Sequence, residues 1–114
     1  MAKATEPVRN DVRVKVVYKR GTCVYGHKVG DEWIVGTTTP AGICNPAYMT
    51  LYPFLRVYQL GGKYEFPRGS GVARVCCPDA WNQVIFELSA VPATGKGAIC
   101  ALPPESGNLD ALPR

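Results

Sequence analysis

Five cysteines and a single histidine are the residues of this 114-residue chain whose types and spacing could do chemistry. Cys23 and His27 are separated by Val24-Tyr25-Gly26, a gap short enough for one loop to present both side chains to a single ion. Thiolate sulfur and imidazole nitrogen suit zinc, iron or copper far better than magnesium or calcium. Cys44 and the adjacent pair Cys76 and Cys77 can complete a four-ligand set from two other segments. No C-x-x-C occurs, so the spacing is not that of a zinc finger, and a metal centre requires three separate segments to converge. The expected ligands are Cys23, His27, Cys44 and Cys76, holding zinc or iron, an iron–sulfur cluster included. The matching function is a small metal- or iron–sulfur-binding protein, such as an accessory subunit of a redox enzyme.

The two halves of the vicinal pair cannot share a role if residues 72–77 form a strand, because neighbouring side chains point to opposite faces. Val72, Arg74 and Cys76 then share one face, while Ala73, Val75 and Cys77 share the other. This reading sends Cys77 to the core and leaves Cys76, beside a cationic Arg74, as the ligating or reactive member; Pro78 can end the strand and undo that assignment.

The same residues also allow covalent chemistry. Cys44 immediately precedes an expected helix, where unpaired N–H groups and the positive end of the dipole favour a thiolate. His27 can serve as its general base. That alternative is a thiol-dependent small enzyme or redox sensor using Cys44 or Cys76 with His27. A third reading is a non-catalytic interaction module whose cysteines are core, since free cysteine is among the most buried residue types and a lone histidine often hydrogen-bonds a turn. Cys77 and Cys100 fit it best.

Other candidates carry less. Residues 26–31 form no phosphate cradle, because His27-Lys28-Val29 interrupts any G-x-G pattern and no Lys-Ser/Thr follows. Tyr48, Tyr52, Phe54 and Tyr58 read as core and rim of a helix. Glu32, Glu65 and Asp79 have no partner near in sequence and read as surface, which leaves paired-carboxylate chemistry unsupported.

The elements that must position these residues follow from periodicity. Residues 1–10 and 92–114 are Pro- and Gly-containing or aperiodic tails around one domain at 11–91. Val12, Val14, Val16 and Tyr18 alternate with Arg13, Lys15 and Lys19, the period-2 pattern of a half-buried strand. A loop with three glycines, Gly21 to Asp31, carries Cys23 and His27 into a short strand at 32–35. Asn45 is the expected N-cap of a helix with Pro46 at its first position. Ala47, Leu51, Leu55 and Tyr58 share one face of it, and Pro53 predicts a kink or two short helices near Thr50–Tyr52. Lys63–Phe66, Val72–Cys77 and Val84–Val91 read as three further strands, with Val84, Phe86 and Leu88 inward. The expected fold is α+β: a small antiparallel sheet of about five strands with one kinked helical segment packed on it.

Composition bounds the rest. A chain of this length fits one core, and 46% hydrophobic with 19% charged residues is ordinary for a folded globule. The net charge of +4 lacks the basic face and aromatic platforms of a nucleic-acid binder, so nucleic acid is not an expected partner. No apolar run reaches the roughly 20 residues of a membrane span, and the first residues lack a secretory h-region. The expected compartment is the cytoplasm, where an odd number of cysteines reads as thiols rather than a disulfide framework. The tails are the expected contact with a protein partner or a second copy.

The run Lys19 to Glu32, with its pattern Gly-x-Cys-x-x-Gly-His-x-x-Gly-Asp, resembles the opening motif of a family of small, largely uncharacterised prokaryotic proteins. The resemblance continues through Gly42-Ile43-Cys44, Leu51-Tyr52-Pro53 and Ala73-Arg74-Val75-Cys76-Cys77-Pro78-Asp79 into residues 84–88, covering about residues 12–91. It marks Cys23, His27, Cys44, Cys76 and Cys77 as motif positions and implies no settled activity.

Overall fold

The computed structural model describes residues 10–93, so Cys100 and most of both expected tails lie outside the described residues. Four strands and one helix follow in the order β1 (Asn10–Lys19), β2 (Glu32–Val35), α1 (Asn45–Gln59), β3 (Ala73–Cys76) and β4 (Val84–Pro92). The strands form one antiparallel sheet in the order β2-β1-β4-β3. The α+β class and the antiparallel sheet agree with expectation; the count of strands does not.

The alternation in β1 does what its period demands. Val12, Val14 and Val16 are fully buried while Arg13 and Lys15 are exposed. The pattern breaks after Val16, because Val16 pairs with Phe86 and Tyr18 with Ile85, which leaves Val17 as an extra residue in a β-bulge. One inserted residue reverses which face each following side chain takes. Tyr18, expected inward, is therefore 48% exposed.

On β2, Trp33 pairs with Val14 and Val35 with Val12, facing the core, while Glu32 reaches across to Arg13 at 3.0 Å. Both of those charged side chains are largely exposed, so the pair contributes little. In β4, Val84, Phe86 and Leu88 are buried as expected, and opposite them Ala73 and Val75 of β3 complete the inner face.

The expected strand at Lys63–Phe66 reduces to a single bridge between Phe66 and Ala73. Its residues have no inward face to bury: Tyr64 is largely exposed and Phe66 is 63% exposed. Tyr64 also spends its carbonyl on the hydroxyl of Tyr58, which donates to it.

Helix α1 is one continuous 15-residue element that contains Pro53, so the division into two short helices, one of the two outcomes expected, does not occur. Its cap is Cys44, one residue earlier than the expected Asn45. The buried face is Ala47, Leu51, Leu55 and Tyr58, as their spacing predicts. Pro53 lies on the wet face, as does Met49, whose carbonyl loses its i+4 partner; water can satisfy that group, so the ladder continues beyond it. At the other end Gly61 has φ 85°, and the Gly62 and Gly61 N–H groups donate to Val57 O at 2.8 Å and Tyr58 O at 3.1 Å. That is a Schellman ending, with glycine supplying the left-handed residue.

The core is one layer between this helix face and the inner sheet face, with Phe86, Leu51, Leu55 and Leu88 its largest fully buried members. The end of α1 is pinned by polar contacts: Gln59 Nε2 donates to Gly36 O at 2.8 Å and Asn10 Nδ2 to Tyr58 O at 3.1 Å. Among the described residues no helix is long and apolar enough to cross a membrane.

The placement of Pro53 sets a stability test. Pro53→Ala restores a backbone donor at an exposed helical position without disturbing the core. Equilibrium unfolding in urea is expected to show a gain of about 1–3 kcal/mol, up to the full Pro-to-Ala difference in helix propensity; an unchanged or lower midpoint contradicts this account of the helix.

Candidate functional site

The loop between β1 and β2 is built from turns that its glycines and aspartate dictate. Gly26 N–H donates to Cys23 O at 3.0 Å and closes the first turn. Lys28 N–H donates to Asp31 Oδ2 and Asp31 N–H returns to Lys28 O, both at 2.9 Å. Gly30 and Asp31 also bond Val16 of β1 through the backbone. Between these turns His27 is carried inward, only 4% exposed. Its ring meets Trp33 and Phe86 edge-on, with centroids 5.5 and 5.9 Å away.

A buried imidazole needs a polar partner, and His27 Nε2 accepts the backbone N–H of Cys44 at 3.3 Å. An accepting Nε2 places the proton of the neutral ring on Nδ1. The bond to Cys44 is through its amide, so His27 anchors the start of α1, a different task from that of a base acting on the Cys44 thiol. Cys44 is the N-cap with extended backbone (φ −66°, ψ 150°), makes no side-chain capping bond, and heads a first turn with no acidic residue. With Pro46 lacking a donor, the free helix start presents the Asn45 and Ala47 N–H groups and the positive end of the helix dipole.

The second wall is the turn after β3. Cys77 N–H bonds Val84 O at 2.9 Å, Val84 N–H donates to Cys77 Sγ at 3.3 Å, and the Cys77 thiol lies 3.8 Å from the Asn82 carbonyl it faces. Asp79 organises this turn: its Oδ1 accepts the Trp81 and Asn82 N–H groups at 2.9 and 3.0 Å, and its Oδ2 accepts Asn82 Nδ2 at 3.3 Å. These hydrogen bonds hold the Asp79 carboxyl below its usual value, the Asn82 and Trp81 amides being the main cause.

Between the two walls and the helix start lies a cavity of about 130 Å³, open to solvent. Cys23, His27, Cys44 and Cys77 all line it, with Tyr25, Pro46, Pro78 and Val84 supplying much of the apolar wall. Three of the four expected site residues are thus brought to one place, and the fourth cysteine there is Cys77. Cys76 is not among the lining residues. It pairs with Ile85 on the outer face of the sheet, where Arg74 is engaged by Glu87 at 3.1 Å. Burial, then the neighbouring Cys77 thiol, pushes the Cys76 thiol up from its ordinary value, so Cys76 stays protonated at neutral pH. The four described cysteines are free thiols. Among the described residues no group of three or more His, Cys, Asp or Glu side chains is arranged to hold a metal ion.

The residues that sequence reasoning missed are Asp79 and Asn82, read as surface and loop. The spacing Asp79-x-Trp81-Asn82 is the signature of an aspartate capping its own turn two and three residues on, a signal present in the sequence. Comparison with protein-family models, curated proteins and solved structures finds no match to this chain.

Because the folded carboxyl of Asp79 lies below its ordinary 3.8, its stabilisation of the turn is present above that value and is lost as pH falls through the folded one. Proton–nitrogen NMR of the Trp81 and Asn82 amides is expected to show a titration midpoint below 3.8. A midpoint at or above it contradicts the turn geometry.

Proposed function

We propose that the protein is a thiol–disulfide redox protein that acts through the cysteine-lined pocket, with Cys44 as the attacking thiol and Cys23 or Cys77 as the resolving one. The observation that supports this most is that three cysteines line one small cavity at the N-terminal end of α1. A single buried cysteine would fit packing alone; three opening on the same space from three segments, one of them capping a helix, fit exchange chemistry better.

Cys44 loses its proton to solvent and its sulfur attacks one sulfur of a disulfide RS–SR′, giving Cys44–S–SR and releasing R′S⁻. A second pocket thiol, Cys23 or Cys77, loses its proton and displaces RS⁻ from Cys44, closing an internal disulfide. Two electrons pass from the protein to the external disulfide. His27 holds the Cys44 backbone in place through the amide bond described above. Cys76, held protonated and facing the other side of the sheet, takes no part.

Treatment of the reduced chain with oxidised glutathione, followed by peptide mapping, tests the reading. The expected product is one internal disulfide between Cys44 and Cys23 or Cys77, with Cys76 still a thiol. Cys44→Ser is expected to abolish that disulfide and to slow the loss of the remaining pocket thiols to oxidised glutathione about tenfold or more, the factor that about 1.4 kcal/mol of barrier represents. A stable mixed disulfide that never resolves, or oxidation that begins at Cys76, overturns it.

The soft donors at the cavity favour a second reading, a zinc or iron centre on Cys23, His27 and Cys44 with a further cysteine as the fourth ligand. It requires the thiols to draw together and, if Nε2 is to ligate, His27 to release the Cys44 amide. Elemental analysis of anaerobically purified protein separates the two: metal near one equivalent per chain favours the centre, and none favours exchange.

A further inference from the structure

We infer that Asn82 is the positioning residue of the pocket, setting the Cys23 loop against the Cys77 turn; the inference takes the pocket thiols as functional, as proposed above. Every polar group of this asparagine is engaged. Its Oδ1 accepts the Thr22 N–H at 2.9 Å, its Nδ2 and backbone N–H go to the two oxygens of Asp79, and its carbonyl faces the Cys77 thiol. One side chain thus links the residue preceding Cys23 to the turn that holds Cys77.

The orientation of the amide is dictated by its partners. Thr22 N–H requires an acceptor and the Asp79 carboxylate requires a donor, so Oδ1 must face the loop and Nδ2 the turn. The approach is close enough to demand a glycine. Gly21 has φ 78°, and a Cβ there would overlap Asn82 Oδ1 and come within 3.1 Å of the Trp81 carbonyl. The backbone is anchored on either side as well, by Arg20 N–H to Gln83 O at 2.8 Å and by His27 to Cys44. Residues 20–27 are therefore tied down at three points, and the middle tie, the one beside Cys23, is a side chain that substitution can remove without breaking a strand.

An aspartate or a leucine at this position cannot reproduce the arrangement. Asn82→Asp keeps an acceptor for Thr22 but sets two carboxylates against each other. Asp79→Asn sets two amide donors against each other, and turning the Asn82 amide over to relieve this presents its NH₂ to the Thr22 N–H. The exchange of both, Asp79→Asn with Asn82→Asp, restores every donor–acceptor pair, with only the side-chain bond between positions 79 and 82 running the other way.

That reciprocity gives the experiment. In full-length chains that retain only Cys23 and Cys77, the bifunctional thiol reagent dibromobimane reports how often the two sulfurs come within bridging distance. A second set that retains only Cys44 and Cys77 is the control for general loosening. Each single substitution is expected to reduce Cys23–Cys77 bridging about fivefold or more, the scale of one lost hydrogen bond, and to leave Cys44–Cys77 bridging within about twofold. The double exchange is expected to restore the first yield. Bridging unchanged in the single variants, a double exchange that does not recover, or a parallel fall in both pairs overturns the inference. If a single variant fails to fold, recovery in the double exchange still decides. Bimane alkylation needs no disulfide partner, so a failure of the redox reading leaves this measurement intact.

Discussion

A polar ring carried into an apolar layer must find a partner there or be expelled. His27 sits against Trp33 and Phe86 with almost no exposure, and its partner is the amide of Cys44. The apolar stripe of α1 decides where the helix lies on the sheet; the imidazole decides what covers its beginning. By accepting the Cys44 backbone N–H, it brings the β1–β2 loop over the helix start and places Cys23 and Cys44 on the walls of one cavity. The single histidine is thus a structural bond first, and its contribution to chemistry runs through the position of the cysteine it holds.

The pocket is closed from its other side by a turn that depends very little on the core. The residues from Pro78 to Trp81 are exposed, Trp81 by 82%, and the order there comes from one carboxylate that gathers three N–H donors. The two walls therefore have different origins. One is fastened by burial, the other by a local polar network at the surface, and Asn82 joins them.

Much of the fold was legible because period and burial agree. The inward valines of β1, the Ala47, Leu51, Leu55, Tyr58 face of α1 and the Val84, Phe86, Leu88 row are where alternation and helical spacing put them. What failed are the features that tertiary context decides. A bulge at Val17 turns Tyr18 outward, Pro53 is tolerated because it faces water, and residues 63–66 lack a face to bury. At the site, the alternation of Cys76 and Cys77 was read correctly, since Cys77 does follow Ala73 and Val75 inward. The inner face also opens into the cavity just where Cys77 lies, so Cys77 lines it and Cys76 does not. The meeting of Cys23, His27 and Cys44 was an expectation from loop and element-end positions alone; periodicity cannot measure such distances.

The longest pairing in the sheet joins the two ends of the described chain, from Asn10 opposite Pro92 to Lys19 opposite Val84. Such non-local contacts form only after a long loop has been closed, which makes them slow relative to helix formation. On a ribosome, β1 must wait for its principal neighbour until the last strand has emerged. During that interval Cys23 and Cys44 exist without the wall that Cys77 and Val84 later provide, so any disulfide formed in the nascent chain follows tether length instead of pocket geometry.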